Sequence, residues 1–281
     1  MYTMSELPPL PNFFIVGAAR AGTTSLARYL GAHPQAFIPW VKEVDFFDRE
    51  DHYKRGVEWY RKQFSDFRGE KAIGDASPYY MFIPAAIPRM AALLPGARLI
   101  VLLRHPVDRA YSHYWLRRSY KTEKRDFRTA VTEESAGTAR VPTYLAGSMY
   151  CAQLRHICEH YPRDALHIAL FEDLMRDPRS VFADACRFLE IDSKFVPPNL
   201  GLNFNPTYSF KSVRVWFWLN RWRQQEGFMR PLVLALDRLN LSPFRYPRMD
   251  AVTRAALLDW FREPNRQLEE WLGRKLPEWE R

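Results

Sequence analysis

The chain has 281 residues, with 41 Lys and Arg against 32 Asp and Glu, a formal charge of +9, and 47% apolar and 15% aromatic residues. That composition sustains a packed core, excludes a disordered polar chain, and favours an anionic ligand: a nucleotide, an acidic sugar, nucleic acid or a membrane surface. No stretch approaches the roughly 20 apolar residues that span a bilayer, and Met1–Asn12 is polar and proline-rich without an apolar h-region, so no signal peptide and a cytoplasmic location are expected.

Residues 12–18 read as a buried strand and 22–31 as the helix after it. Between them, Gly17-Ala18-Ala19-Arg20-Ala21-Gly22-Thr23-Thr24-Ser25 forms a glycine-bounded loop at a helix N-terminus. Backbone N–H groups in such a loop cradle phosphate. The glycine spacing fits the nucleoside-triphosphate pattern G-x-x-x-x-G-K-[ST], except that Thr23 replaces the lysine. That lysine reaches the β and γ phosphates, so a P-loop kinase or NTPase is disfavoured and a shorter anionic chain is expected. Ala21, Gly22, Thr23, Thr24 and Ser25 would hold the phosphate through amides and hydroxyls, with Arg20 beside a bridging or leaving oxygen.

Lys42-Glu43-Val44-Asp45-Phe46-Phe47-Asp48 follows the phosphate helix. Glu43 or Asp45 could act as a base in a partly apolar pocket, where burial raises a carboxyl's pKa. A solvated turn anchored by two phenylalanines is the alternative. Residues 71–77 read as a short strand, and Ala97–Arg104 as a strand buried on both faces. A helix starts near Pro106, a residue well tolerated in a first turn. Arg104 at the strand end and Ser112 two turns into that helix could pinch a second phosphate; an arginine capping its own sheet edge is the alternative.

Further helices are expected over 143–160, from Asp177-Pro178 to Leu189, and over 252–272, with a strand at Leu166–Phe171. Residues 192–250, rich in Pro, Arg and Trp, read as an irregular or lid-like insertion. Cys151, Cys158 and Cys186 form no C-x-x-C pair. A helix carrying Cys151 and Cys158 separates them by roughly 10 Å, too far for a disulfide. His156 and His160 lack zinc-finger spacing, so no metal is expected. Alternating strands and helices imply one α/β domain over 1–281, with residues 1–11 a tail: P-loop-like, its central parallel sheet covered by helices on both faces. Ligands of such sheets bind at the strands' C-terminal ends.

The loop, Glu43-Val44-Asp45-Phe46-Phe47 and the Arg104…Ser112 pair, in that order, resemble the sulfotransferases that use 3′-phosphoadenosine 5′-phosphosulfate (PAPS). Within them, the heparan-sulfate N- and 3-O-sulfotransferase domains and their bacterial relatives are most similar. His52-Tyr53-x-x-Gly56-x-x-Trp59-Tyr60, Ser77-Pro78-x-Tyr80, Glu263-Pro264-Asn265 and Leu272-Gly273 extend the resemblance along residues 12–275. It implies that Arg20–Ser25 hold the 5′-phosphosulfate, that Arg104 and Ser112 hold the 3′-phosphate, and that Glu43 is the base. Lys211, Ser212 and Arg214 loosely match the family's Lys-Gly-Arg element on the adenine side.

Lys42, His52 and Ser77 are acceptor-side candidates, and a carbohydrate or small metabolite, in part an acidic one, is the expected acceptor. The heparan enzymes often carry lysine where this chain has Ala76, a departure that weakens the case for their acceptor here. The alternative is a non-catalytic binder of nucleic acid or acidic polysaccharide that uses the positive charge and aromatic-basic stretches such as Trp216–Trp222.

Overall fold

The structure is a computed structural model that describes residues 8–39, 43–202, 204, 208–212, 214–215, 218–219, 236 and 239–281. Its centre is a five-stranded parallel sheet in the order β2-β3-β1-β4-β5. The strands are β1 (Phe13–Gly17), β2 (Ala36–Phe37), β3 (Ala72–Asp75), β4 (Arg98–Leu103) and β5 (Leu166–Leu170). β1 and β4 lie side by side at the middle, and Phe13–Val16 and Leu99–Leu103 are fully buried. Each such side chain contributes about 1.5–3 kcal/mol on burial, so these two strands are the firmest platform for whatever their C-terminal ends carry.

The helices are α1 (Thr23–Leu30), α2 (Glu50–Tyr53), α3 (Gly56–Lys62), α4 (Ala86–Leu93), α5 (Pro106–Ser119), α6 (Phe127–Ser135), α7 (Tyr150–Cys158), α8 (Phe171–Arg176), α9 (Pro178–Phe188) and a C-terminal helix, Ala251–Leu272. Local chemistry sets several of their starts. Pro106 and Pro178 occupy first-turn positions. Asp126, Asp177 and Asp250 accept from the N–H of Thr129, Ser180 and Thr253 at 2.9, 3.0 and 2.8 Å, each cap contributing about 1 kcal/mol.

The helix expected over 143–160 begins later. Residues 146–148 form a 3-10 turn, and α7 starts only at Tyr150. The buried guanidinium of Arg109 explains the delay. It donates to Ser148 Oγ at 2.5 Å and to Thr143 O at 3.2 Å, so backbone and side chains there answer to α5 rather than to a helix of their own. The strand expected to end at Phe171 ends one residue earlier, because Phe171 opens α8.

A second buried cluster joins α5, α6 and the C-terminal helix through Val107, Ala110, Tyr114, Phe127, Val131, Leu257 and Phe261. Arg254 closes its edge with an ion pair to Asp108 at 2.7 Å. Two short antiparallel strands, β6 (Tyr208–Phe210) and β7 (Leu241–Pro243), lie within the segment expected to be irregular, and β6 packs along α5. The Trp216–Trp222 stretch falls mostly outside the described residues. No helix among the described residues is long and apolar enough to cross a membrane.

Candidate active site

The C-terminal ends of β1, β3 and β4 lie on one edge of the parallel sheet, and the segments that follow those strands start there. After β1 the chain turns through residues 18–22 into α1. Ala18 N–H donates to Leu102 O at 2.7 Å, which fastens the start of the loop to β4. Arg20 and Gly22 both have left-handed backbones, at φ 76° and 86°. Alternating hand of this kind turns successive N–H groups inward into an anion-binding concavity. Gly22 is required twice over: a Cβ there would lie 2.9 Å from the Phe171 ring, and its φ disfavours L side chains. No side chain caps the N-terminus of α1, and the Ser25 N–H closes the first turn on Gly22 O at 3.0 Å.

Arg104 follows β4 directly. Its Nη1 donates to Arg20 O at 3.1 Å, and its guanidinium stacks 4.6 Å from the Phe171 ring centroid. Tyr150 fixes the same residue from behind by donating to Arg104 O at 2.8 Å. Arg20 Nε in turn donates to Ser112 Oγ at 3.0 Å. Arg20, Arg104 and Ser112, three of the residues singled out from spacing, therefore form one hydrogen-bonded chain across the ends of β1 and β4. Burial, and then the neighbouring Arg104 charge, push the Arg20 guanidinium below its usual range. Two cations held this close favour an anion between them.

Glu43 lies on the loop that runs from 43 to 49 before α2, half-buried, with φ 71°. Tyr79 connects it electrostatically to the phosphate loop. Burial and then Glu43 raise the Tyr79 hydroxyl to about 12, while Arg109 and Arg20 act in the opposite sense. Asp45, at φ 51°, is pushed up to about 8 by burial and then by Asp48 and Glu43. Asp48 rises to about 6, chiefly by burial.

The other singled-out residues fall in different surroundings. Ser77 is fully buried; its hydroxyl donates to Asp75 Oδ1 at 2.7 Å and accepts from Asp45 N–H at 3.2 Å. Its side chain faces inward, onto Asp75. His52 is buried too, with Nδ1 2.9 Å from Val44 O and 3.1 Å from Asp45 O. Both residues grip the Glu43 loop from inside. Lys42 lies outside the described residues. Lys211 and Arg214 are exposed, and Ser212 is half-buried and paired with Asn240 through N–H to Oδ1 at 2.9 Å. They follow β6, the strand that lies along α5.

Sequence reasoning missed Asp75 and Tyr79. The β3 pattern Ala72-Ile73-Gly74-Asp75 ends on an acid next to Ser77 and Tyr80, and that juxtaposition was the available signal. A cleft of about 650 Å³ at the other end of α1, lined by Arg28, His33, Asp66 and Asn199, shares no residue with this site. The convergent arginines and loop amides, rather than the larger hollow, mark where anion chemistry belongs.

A family model described as a sulfotransferase domain matches residues 10–214. A solved structure of a sulfotransferase from Alicyclobacillus acidocaldarius covers 97% of this chain and 100% of its own, with 30% identity and a TM-score of 0.73. Human bifunctional heparan sulfate N-deacetylase/N-sulfotransferase 3 is 29% identical over 286 residues, 96% of this chain and 31% of that protein. The Dictyostelium discoideum membrane-associated sulfotransferase kil1 is 41% identical over 118 residues, 39% of this chain and 25% of that protein. The chain thus spans about a quarter to a third of the length of these curated relatives.

Proposed function

Since the chain belongs to the PAPS-dependent sulfotransferase family, we propose that it moves a sulfuryl group from PAPS to an acceptor hydroxyl or amine by in-line transfer. The observation that carries this reading is the hydrogen-bonded chain Arg104–Arg20–Ser112, set beside a loop with two left-handed positions. The fit rests on the cradle itself: Arg20 and Gly22 hold left-handed backbones before a helix start that no side chain caps, with the Arg104 guanidinium against the loop. Ala21–Ser25 and Arg20 would hold the 5′ end, and Arg104 with Ser112 the 3′-phosphate. Lys211, Ser212 and Arg214 would approach the adenine side.

The donor supplies an activated sulfur–oxygen bond. An acceptor oxygen or nitrogen forms a new bond to sulfur as the bond from sulfur to the bridging oxygen breaks, and the electron pair leaves on that oxygen, which stays with the phosphate. Glu43 takes the acceptor proton. Arg20 and the loop amides stabilise the charge that develops on the bridging oxygen, a role whose loss typically costs on the order of 10²–10³ in rate. Arginines and amides carry that charge, so turnover should persist in a chelator. A sugar or small metabolite would be the acceptor.

Calorimetry with adenosine 3′,5′-bisphosphate, followed by transfer from labelled PAPS across sugars, phenols, lipid headgroups and amines, tests the proposal. Arg104→Ala removes charge-assisted hydrogen bonds of about 1.5–3 kcal/mol and should weaken bisphosphate binding at least about tenfold with the fold intact. Equal affinity in that variant would remove Arg104 from the 3′-phosphate.

A further inference from the structure

Asp75 ends β3 with its carboxylate fully buried. Three hydroxyls donate to it: Ser77 to Oδ1 at 2.7 Å, and Tyr60 and Tyr80 to Oδ2 at 2.8 Å each. Two of those hydroxyls are occupied on their other side as well. Ser77 Oγ accepts the N–H of Asp45 at 3.2 Å, and Tyr80 Oη accepts the N–H of Phe46 at 3.0 Å. Each hydroxyl has one proton, so the carboxylate fixes its direction and leaves the lone pairs for the backbone. Tyr60 differs: its hydroxyl donates to Asp75 without taking up either amide, and its ring stacks 4.4 Å from that of Phe46.

The backbone held in this way is strained. Glu43 and Asp45 both sit at positive φ, at 71° and 51°. Such positions are strained and persist only where the surroundings over-determine them. The same clamp is anchored to the phosphate loop, because Met81 N–H, one residue beyond Tyr80, donates to Val16 O at 3.0 Å on the strand that feeds it.

We propose that Asp75 is a positioning residue which, through the Ser77 and Tyr80 hydroxyls, fixes the backbone of Asp45 and Phe46 and thereby aims Glu43 at the acceptor. This rests on the proposed sulfuryl transfer. Misplacing a reacting group by about 1 Å can cost about 10²-fold, so a clamp of this kind acts on turnover and leaves nucleotide binding alone.

Single-hydroxyl variants separate aiming from mere stability. Ser77→Ala and Tyr80→Phe should each lower kcat at least about tenfold, with bisphosphate affinity within about twofold. Tyr60→Phe loses a buried hydrogen bond to the same carboxylate but should keep kcat within about threefold. Asp75→Asn should lose the most, and where it does not fold the hydroxyl variants carry the test. Hydrogen exchange at the Asp45 and Phe46 amides should quicken in Ser77→Ala and Tyr80→Phe and not in Tyr60→Phe.

Unchanged kcat in Ser77→Ala and Tyr80→Phe, or an equal loss in Tyr60→Phe, overturns the proposal. A wild-type chain that neither binds the bisphosphate nor transfers sulfate refutes the function itself, while exchange at the two amides still decides whether the clamp exists.

Discussion

Glu43 has the chemistry of a base and the backbone of a strained turn, and both bear on how it should be tested. Glu43→Gln keeps size and hydrogen-bonding shape but cannot take a proton. Loss of a general base costs typically 10²–10⁴ in rate, so kcat should fall by about that factor while calorimetry shows the bisphosphate bound as before; normal turnover would take Glu43 out of its role. Asp45 gives a different signal. Its carboxyl is raised to about 8, by burial first and then by the charges of Asp48 and Glu43. A folded pKa above the unfolded value means that the folded state favours the neutral acid. Its contribution to stability is therefore best at low pH and falls as the pH rises from about 4 to about 8. Asp45→Asn should raise Tm at pH 8, by roughly 2–4 °C for each 1 kcal/mol relieved, and by much less at pH 4. An equal shift at both pH values would contradict the assignment.

At the scale of elements, the strand–loop–helix unit from β1 to α1 was the most legible part of the chain. Its apolar run, two glycines and hydroxyl-rich helix start are all local signals, and the loop residues fall where the spacing placed them. Arg104 and Ser112 were legible for the same reason, one ending a strong strand and the other inside the helix after it. What escaped the sequence depends on contacts between distant segments. No local pattern shows that Ser77 is buried between Asp75 and the Asp45 amide. The late start of α7 depends on Arg109, from another helix. β2 is two residues long, too short for any periodicity. The loop's own prediction concerns Gly22→Ala. A Cβ there meets Phe171 and a φ of 86°, so bisphosphate binding should be lost with about 1–3 kcal/mol of stability. Wild-type binding in Gly22→Ala would show that the loop has no need of that backbone.

Across the whole molecule, two cores serve one edge of the sheet. The central sheet carries the loop and Arg104, while the second cluster, between α5, α6 and the C-terminal helix, supports the far side of the helix that bears Ser112. Phe261 is fully buried in that cluster. Phe261→Ala should cost about 3–5 kcal/mol, read as a lower denaturation midpoint. Because Ser112 rides on α5, bisphosphate affinity should weaken with it. Full affinity in that variant would show that Ser112 is held by the sheet side alone.

Phe171 touches both the glycine of the loop and the guanidinium after β4, and that double contact restricts how the family can drift. A relative with a side chain in place of Gly22 must shrink the ring opposite it. Shrinking the ring strips Arg104 of its platform. Positions 22, 104 and 171 should therefore change together or stay fixed across an alignment, as an inherited trio rather than three independent choices.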